Sequence, residues 1–195
     1  MADRLLLHVC CGPCASASIP AFKALADEVV GFFHNPNIHP FMEYRRRLTG
    51  AREVAHLTGI TLSEDLSYDP GRWFSLVVGE MDRSPKEYSE AMEEPVRQRS
   101  RCVRCIALRL DRAAAEAAAQ GCAAFSTTLA ISPWQDHEAI RTGGDGAAKR
   151  YGVDFVYQDL RRLYPESRRL SREWGVYRQK YCGCLLSEWE RYREG

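Results

Sequence analysis

Three short stretches of this sequence concentrate its thiols: Cys10-Cys11-Gly12-Pro13-Cys14, Cys102-Val103-Arg104-Cys105 and Cys182-Gly183-Cys184. Together they hold seven of the eight cysteines. The remaining one, Cys122, stands between Gly121 and Ala123 and reads as a small buried apolar residue. Thiols grouped this tightly bind metals or carry redox chemistry when the compartment is reducing. A reducing cytoplasm is the expected setting. Leu5–Val9 is too short for the apolar region of a signal peptide. No run approaches the roughly 20 apolar residues that span a bilayer, so no membrane association is expected.

Spacing narrows the chemistry. Cys102 and Cys105 form a C-x-x-C expected at a helix start, where the helix N-terminus favours ionised thiols. Such a pair suits half of a zinc site or a thioredoxin-like dithiol. The thioredoxin pattern puts its C-x-x-C after the first strand, whereas Cys102 and Cys105 stand far down the chain. Adjacent cysteines such as Cys10-Cys11 are unusual in zinc knuckles, whose ligand spacing is about two to four. They suit a larger object in which each thiolate takes a different metal atom. A 4Fe–4S cluster takes one thiolate per iron, and Cys10, Cys11, Cys102 and Cys105 supply that number. A cluster is favoured over zinc on this pattern. Cys14, Cys182 and Cys184 are then left over. A disulfide between Cys182 and Cys184 would close a very short, strained loop, the labile kind that turns over. Alternatively, two or three of these thiols hold a second metal.

The elements that must position them read as follows. Arg4–Val9 is a buried strand, and Ala15–Ala26 a helix with Pro20 inside it. Val29–Phe33 is a second strand, His34–Pro40 a loop, Phe41–Leu57 a helix and Ile60–Leu62 a short strand. Residues 69–101 carry Pro70, Pro85 and Pro95 and read as a helical insertion. Cys102–Gln120 is a helix of high propensity stopped by Gly121. Ala123–Thr127 and Val153–Tyr157 are strands around a helix that follows Pro133. Residues 161–195 form a basic C-terminal segment carrying Cys-Gly-Cys. Strands alternating with helices predict an α/β fold, a Rossmann-like three-layer sandwich with a parallel sheet. At 195 residues the chain suits one catalytic domain, 1–195, with the helical insertion.

A strand–loop–helix start of this kind often carries a phosphate loop, whose bare amides cradle pyrophosphate. Here the loop has one glycine, and Pro13 lacks an amide donor. Pyrophosphate binding is therefore disfavoured. The carboxyl end of the first strand remains the expected place for chemistry.

The motifs form an ordered set: "HVCCGPC", "NPNIHP" followed by "EYRRR", "RCVRC", "STTLAISPWQD", "YGVDFVYQDLRR" and "YRQKYCGC". Together, from Leu5 to about Glu188, they resemble the epoxyqueuosine reductases of the QueH type. The resemblance implies an adenine-nucleotide-hydrolase-like (PP-loop-like) Rossmann fold. It implies reduction of the epoxide of epoxyqueuosine to the alkene of queuosine at the wobble position of tRNA, the last step of that nucleoside's synthesis. It implies a 4Fe–4S cluster on Cys10, Cys11, Cys102 and Cys105. Cys182 and Cys184 would be a redox-active pair or part of a second metal site, with mononuclear iron as a candidate. The position of Cys14 can be aspartate in the family, and both residue types bind iron. A proton donor is also required; Tyr181, Asp136 and His137 lie in motif segments. His8, in the first strand, reads as a hydrogen-bonded core residue or as support for the site. Partners would be tRNA carrying epoxyqueuosine and an unidentified electron donor.

The net charge is +1, so only local clusters can mark a polyanion surface. Arg97, Arg99, Arg101, Arg104 and Arg109 form one run, and Arg45, Arg46 and Arg47 another. A third comprises Arg161, Arg162, Arg168, Arg169, Arg172, Arg178 and Lys180. Aromatic residues interleave with them, as stacking on splayed anticodon bases requires. Arg161, Arg162, Arg178, Lys180 and Trp134 are the first candidates for tRNA contact. Two other function classes stay open: a zinc-stabilised RNA-binding module without catalysis, and an ATP-dependent tRNA-thiolating enzyme. A general dithiol oxidoreductase has weaker support.

Overall fold

A computed structural model of the chain describes residues 2–78 and 95–193. Five strands form one parallel sheet in the order β3-β2-β1-β4-β5. They are β1 (Ala2–His8), β2 (Ala26–Phe33), β3 (Leu62–Glu64), β4 (Ala124–Thr127) and β5 (Asp154–Phe155). The helices are α1 (Gly12–Lys23), α2 (Phe41–Thr58), α3 (Pro70–Val77), α4 (Pro95–Ala119), α5 (His137–Tyr151), α6 (Tyr164–Glu173) and α7 (Leu185–Tyr192). This is the expected three-layer α/β sandwich.

The period of two along β1 divides the core. Leu5, Leu7 and Val9 pack with residues of α1, α2 and the α6 region on one face. Leu6 packs on the other face with Ile106, Leu110 and Ala113 of α4 and Ala139 and Ile140 of α5. Chain order runs outward from β1 to β3, then returns to start β4 on the other side of β1. The carboxyl ends of β1 and β4 therefore flank a topological switch point, where open α/β sheets bind ligands. The first cysteine motif follows β1 directly at that point.

Several boundaries differ from the sequence reading. The first helix starts at Gly12, because Pro13 fits a helix's first turn, and it ends before β2 begins at Ala26. The third strand begins at Leu62, where pairing with Gly31–Phe33 becomes possible. The last strand is only Asp154–Phe155, on the sheet edge. The larger correction concerns α4. It begins at Pro95, which suits a first turn, so Cys102 and Cys105 lie about two and about three turns inside the helix and not at its N-terminus. Of the expected insertion 69–101, Pro70–Val77 is α3 and Pro95 onward is α4; residues 79–94 lie outside those described.

Candidate metal and redox centre

The sulfurs of Cys10, Cys11 and Cys14 lie within 4.8 Å of one another. Cys10 and Cys11 sulfurs are 3.7 Å apart. The turn is tight because Gly12 sits against α2: a Cβ there would stand 2.5 Å from the Gly50 carbonyl oxygen. Cys11 stands at the N-cap position of α1, and Pro13 occupies its first turn. The Thr128 hydroxyl, just beyond β4, accepts from the Cys10 amide (3.0 Å) and donates to its sulfur (3.2 Å). Gln179 donates to Cys11 Sγ at 2.8 Å. As free thiols the three share protons unequally. The Cys11 thiol is held well below its ordinary value by hydrogen bonds from Cys10 and Cys14, with the Arg47 guanidinium helping. Cys10 is pushed up to about 12, first by its bond to Cys11, and Cys14 is pushed up by both neighbours and by burial. Cys11 is therefore where negative charge first settles.

The second pair lies across the site on α4. Cys105 is buried against Trp73, Val77, Cys184 and Leu186. Burial pushes Cys102 up to about 11 and raises Cys105 as well, against the pull of Arg109 and the Trp73 indole. The ionisation that a helix N-terminus would have favoured is thus reversed by the interior position. Neither thiol joins the tight triad among the described residues.

The third pair splits. Cys182 is exposed and Cys184 buried. Cys182 Sγ accepts from Gln135 at 3.4 Å. Cys184 caps α7, its sulfur accepting the Ser187 amide at 3.3 Å. Between them Gly183 has φ +142°, and a Cβ would meet Arg47, Asn37 and Ile38 at 3.1–3.2 Å. The glycine is needed twice, for conformation and for space. The segment is tied down by Arg47, which donates to the Cys182 carbonyl (2.6 Å) and the Tyr181 carbonyl (3.1 Å), and by the His39 amide on the Gly183 carbonyl (2.8 Å).

Other expected site residues take structural partners. The Tyr181 hydroxyl donates to the His39 carbonyl at 2.9 Å, and burial pushes its pKa up, so the phenol stays protonated. Asp136 caps α5 through the Ala139 amide, and that bond together with Arg99 keeps its carboxylate below the ordinary range. His137 lies between the Tyr157 hydroxyl (2.7 Å) and the Ser132 carbonyl (3.0 Å). His8 is fully buried between Thr127 and the His34 carbonyl, and burial lowers it to about 4. A carbonyl only accepts, so His8 Nε2 carries the proton.

The basic runs are also redistributed. Arg99 pairs with Asp136 and Glu138, and Arg101 with Glu190, so distant carboxylates neutralise a run that has none of its own. Arg47 and Arg109 are buried. The side chain of Arg97 lies outside those described. Arg161 chelates Asp159, and Arg169 bridges Glu166 and Glu173. Arg162, Arg178 and Lys180 stand exposed. Trp134 is 73% exposed, edge-on to Tyr164 at 5.0 Å, with Arg168 over the Tyr164 ring. Its neighbour Gln135 is the residue that touches Cys182.

The donor chemistry fits a metal. Thiolates converging on one atom at about 2.3 Å stand under 4.6 Å apart, close to the observed spread. Buried oxygen acceptors of three side chains near the thiols, Asn35, Asn37 and the half-buried Gln179, have no hydrogen-bond partner among the described residues. Buried acceptors are normally paired, so they too fit a site that holds a cation.

The Epoxyqueuosine reductase QueH family model matches residues 5–190, a span that includes every one of these thiols. The chain belongs to the epoxyqueuosine reductase QueH family. A QueH of Dehalococcoides mccartyi is 37% identical over 192 residues, covering 98% of this chain and 96% of its own. That of Thermotoga maritima is 36% identical over 191 residues, covering 96% and 91%. That of Haemophilus influenzae is 34% identical over 189 residues, covering 95% and 71%. Sequence placed Arg47 and Arg109 in basic runs expected to follow phosphates, and the structure buries both; Thr128, Gln135 and Gln179, which were not singled out, lie inside the motifs that carry the family likeness. The residue types of Thr128, Gln135 and Gln179 gave no signal of hydrogen bonding to sulfur.

Proposed function

We propose that this chain reduces the epoxide of epoxyqueuosine in tRNA to the alkene of queuosine. The observation that carries this is a thiol triad at the sheet's switch point in a chain of the QueH family. The reaction takes two electrons and two protons and releases water. A 4Fe–4S cluster, when bound, supplies electrons one at a time. Cys10, Cys11, Cys102 and Cys105 would hold it, and Cys14, Cys182 and Cys184 would serve a mononuclear iron or a dithiol reservoir. Two thiols closing to a disulfide release the two electrons and two protons that the epoxide consumes.

The chain's own groups fit these roles. Thr128 and Gln179 donate hydrogen bonds to sulfur and so favour its anionic form. Gln135 reaches the exposed Cys182 from the loop that carries Trp134, so a base stacked on Trp134 would lie beside that thiol. Arg162, Arg178 and Lys180 would follow the phosphates. No described helix is long and apolar enough to cross a membrane, and a tRNA substrate fits a cytoplasmic setting. The electron donor would be a separate protein or small reductant.

The 4.8 Å triad also fits a single zinc ion, which keeps the zinc-stabilised RNA-binding reading as the second one. Anaerobic purification with iron, sulfide and zinc analysis separates the two. Iron with sulfide, and conversion of epoxyqueuosine tRNA with dithionite as reductant, is the expected result. Zinc alone after anaerobic reconstitution, with no turnover, refutes the reductase.

A further inference from the structure

Arg109 lies on α4 one turn beyond Cys105, and its Nε donates to the Cys105 carbonyl at 3.2 Å. It is 2% exposed. Its neighbours on the same helix, Arg99, Arg101 and Arg112, each meet a carboxylate. Arg109 meets none among the described residues. A guanidinium held away from water without an anion is strongly unfavourable, so the fold must supply a counter-anion. Burial opposes its charge, and the groups that favour it are sulfurs, Cys105 first, then Cys182, Cys10 and Cys102, which become anions when they ligate a metal. They come from all three cysteine motifs. The nearby imidazoles of His8 and His34 are held neutral by burial, at about 4, and so do not oppose it. Arg47 differs, because Glu43 neutralises it at 2.7 Å.

We propose that Arg109 is the fixed countercharge of the metal–thiolate centre, a positioning residue that favours both assembly and reduction of that centre. The inference rests on the metal-centre reading given above. Reduction adds negative charge, and a cation in a poorly screened interior stabilises the more negative state. Without the cation the reduction equilibrium shifts back toward the oxidised form.

The test compares wild type, Arg109→Lys and Arg109→Gln, each reconstituted anaerobically with iron and sulfide. Iron per chain is measured, and the midpoint potential is read by titration of the visible spectrum. Arg109→Gln is expected to be at least tenfold harder to reduce, about 59 mV lower for a one-electron couple. Arg109→Lys is expected within threefold of wild type. Arg109→Gln that stays empty while Arg109→Lys fills supports the same conclusion, because the two variants differ in charge. Unchanged potential and iron in Arg109→Gln overturns it. So does an Arg109→Lys as impaired as Arg109→Gln. A wild-type chain that takes up no iron overturns the metal-centre reading itself, and this inference falls with it.

Discussion

The Arg47 guanidinium on α2 reaches across 135 positions of sequence to the Cys182 carbonyl at 2.6 Å. The same side chain pairs with Glu43, bonds the Tyr181 carbonyl and lies over the Tyr181 ring at 5.2 Å. One buried side chain thus ties the Cys-Gly-Cys segment to the helix that flanks the first cysteine motif. Arg47→Ala leaves the Glu43 carboxylate buried without its cation, which costs about 3–5 kcal/mol. Urea unfolding should show that loss, and limited proteolysis should cut first near Tyr177–Cys184. An unchanged urea midpoint would refute the role.

Cys11 and Cys122 should behave oppositely on substitution. Cys11→Ser removes the sulfur on which charge first settles and should lose most of the bound iron. Cys122→Ala touches only the apolar core beside α4 and should keep wild-type iron, at a cost of about 1 kcal/mol. Iron analysis after anaerobic reconstitution distinguishes them; equal iron in both variants contradicts the assignment of Cys11.

Acid should weaken the metal-free chain before its carboxylates titrate. His34 and His39 are lowered from 6.5 to about 4, in each case chiefly by burial. Between those values the unfolded chain binds more protons, so stability rises with pH there. It is fully present above pH 6.5 and falls as pH drops toward 4, by at most about 3 kcal/mol per histidine. Urea unfolding at pH 7 and pH 4.5 should differ accordingly. A His34→Gln/His39→Phe chain should show a flatter profile, and an identical slope in that variant would refute the attribution.

Trp134 supplies exposed ring area and little to the core. Trp134→Ala should leave unfolding within about 0.5 kcal/mol. It should weaken anticodon stem-loop binding by about 1–3 kcal/mol, the worth of one stacked base. Lys180→Ala should instead lower the salt dependence by about one phosphate contact. Fluorescence anisotropy against salt measures both; full affinity in Trp134→Ala would move the RNA surface elsewhere.

The sheet was legible because β1 is an apolar run with a sharp end, and because strands and helices alternate. The thiol groups were legible because cysteines so closely spaced have few other uses. Arg47 and Arg109 were not, since a buried arginine looks in sequence like any surface charge. Nor could sequence reveal that Glu190 and Asp136 neutralise arginines on α4, because those pairs exist only after the helices pack. The start of α4 was misplaced for a related reason: Pro95 looks like a breaker until it is seen to occupy a first turn. Cys14 was set apart from Cys10 and Cys11 by ligand arithmetic, yet one turn of helix brings its sulfur beside theirs.

Cys122 lies at the opposite end of β4 from Thr127 and Thr128, 2% exposed and with its thiol pKa pushed up by burial. Every other cysteine belongs to the motifs around the switch point. Oxidants and alkylating reagents therefore meet two separate populations. The motif thiols report on the state of the centre, filled, empty or oxidised. Cys122 reacts only when the core behind it opens. Its rate of alkylation reports unfolding in the same sample through a sulfur that is not part of the centre, and slows as the centre fills and stabilises the fold.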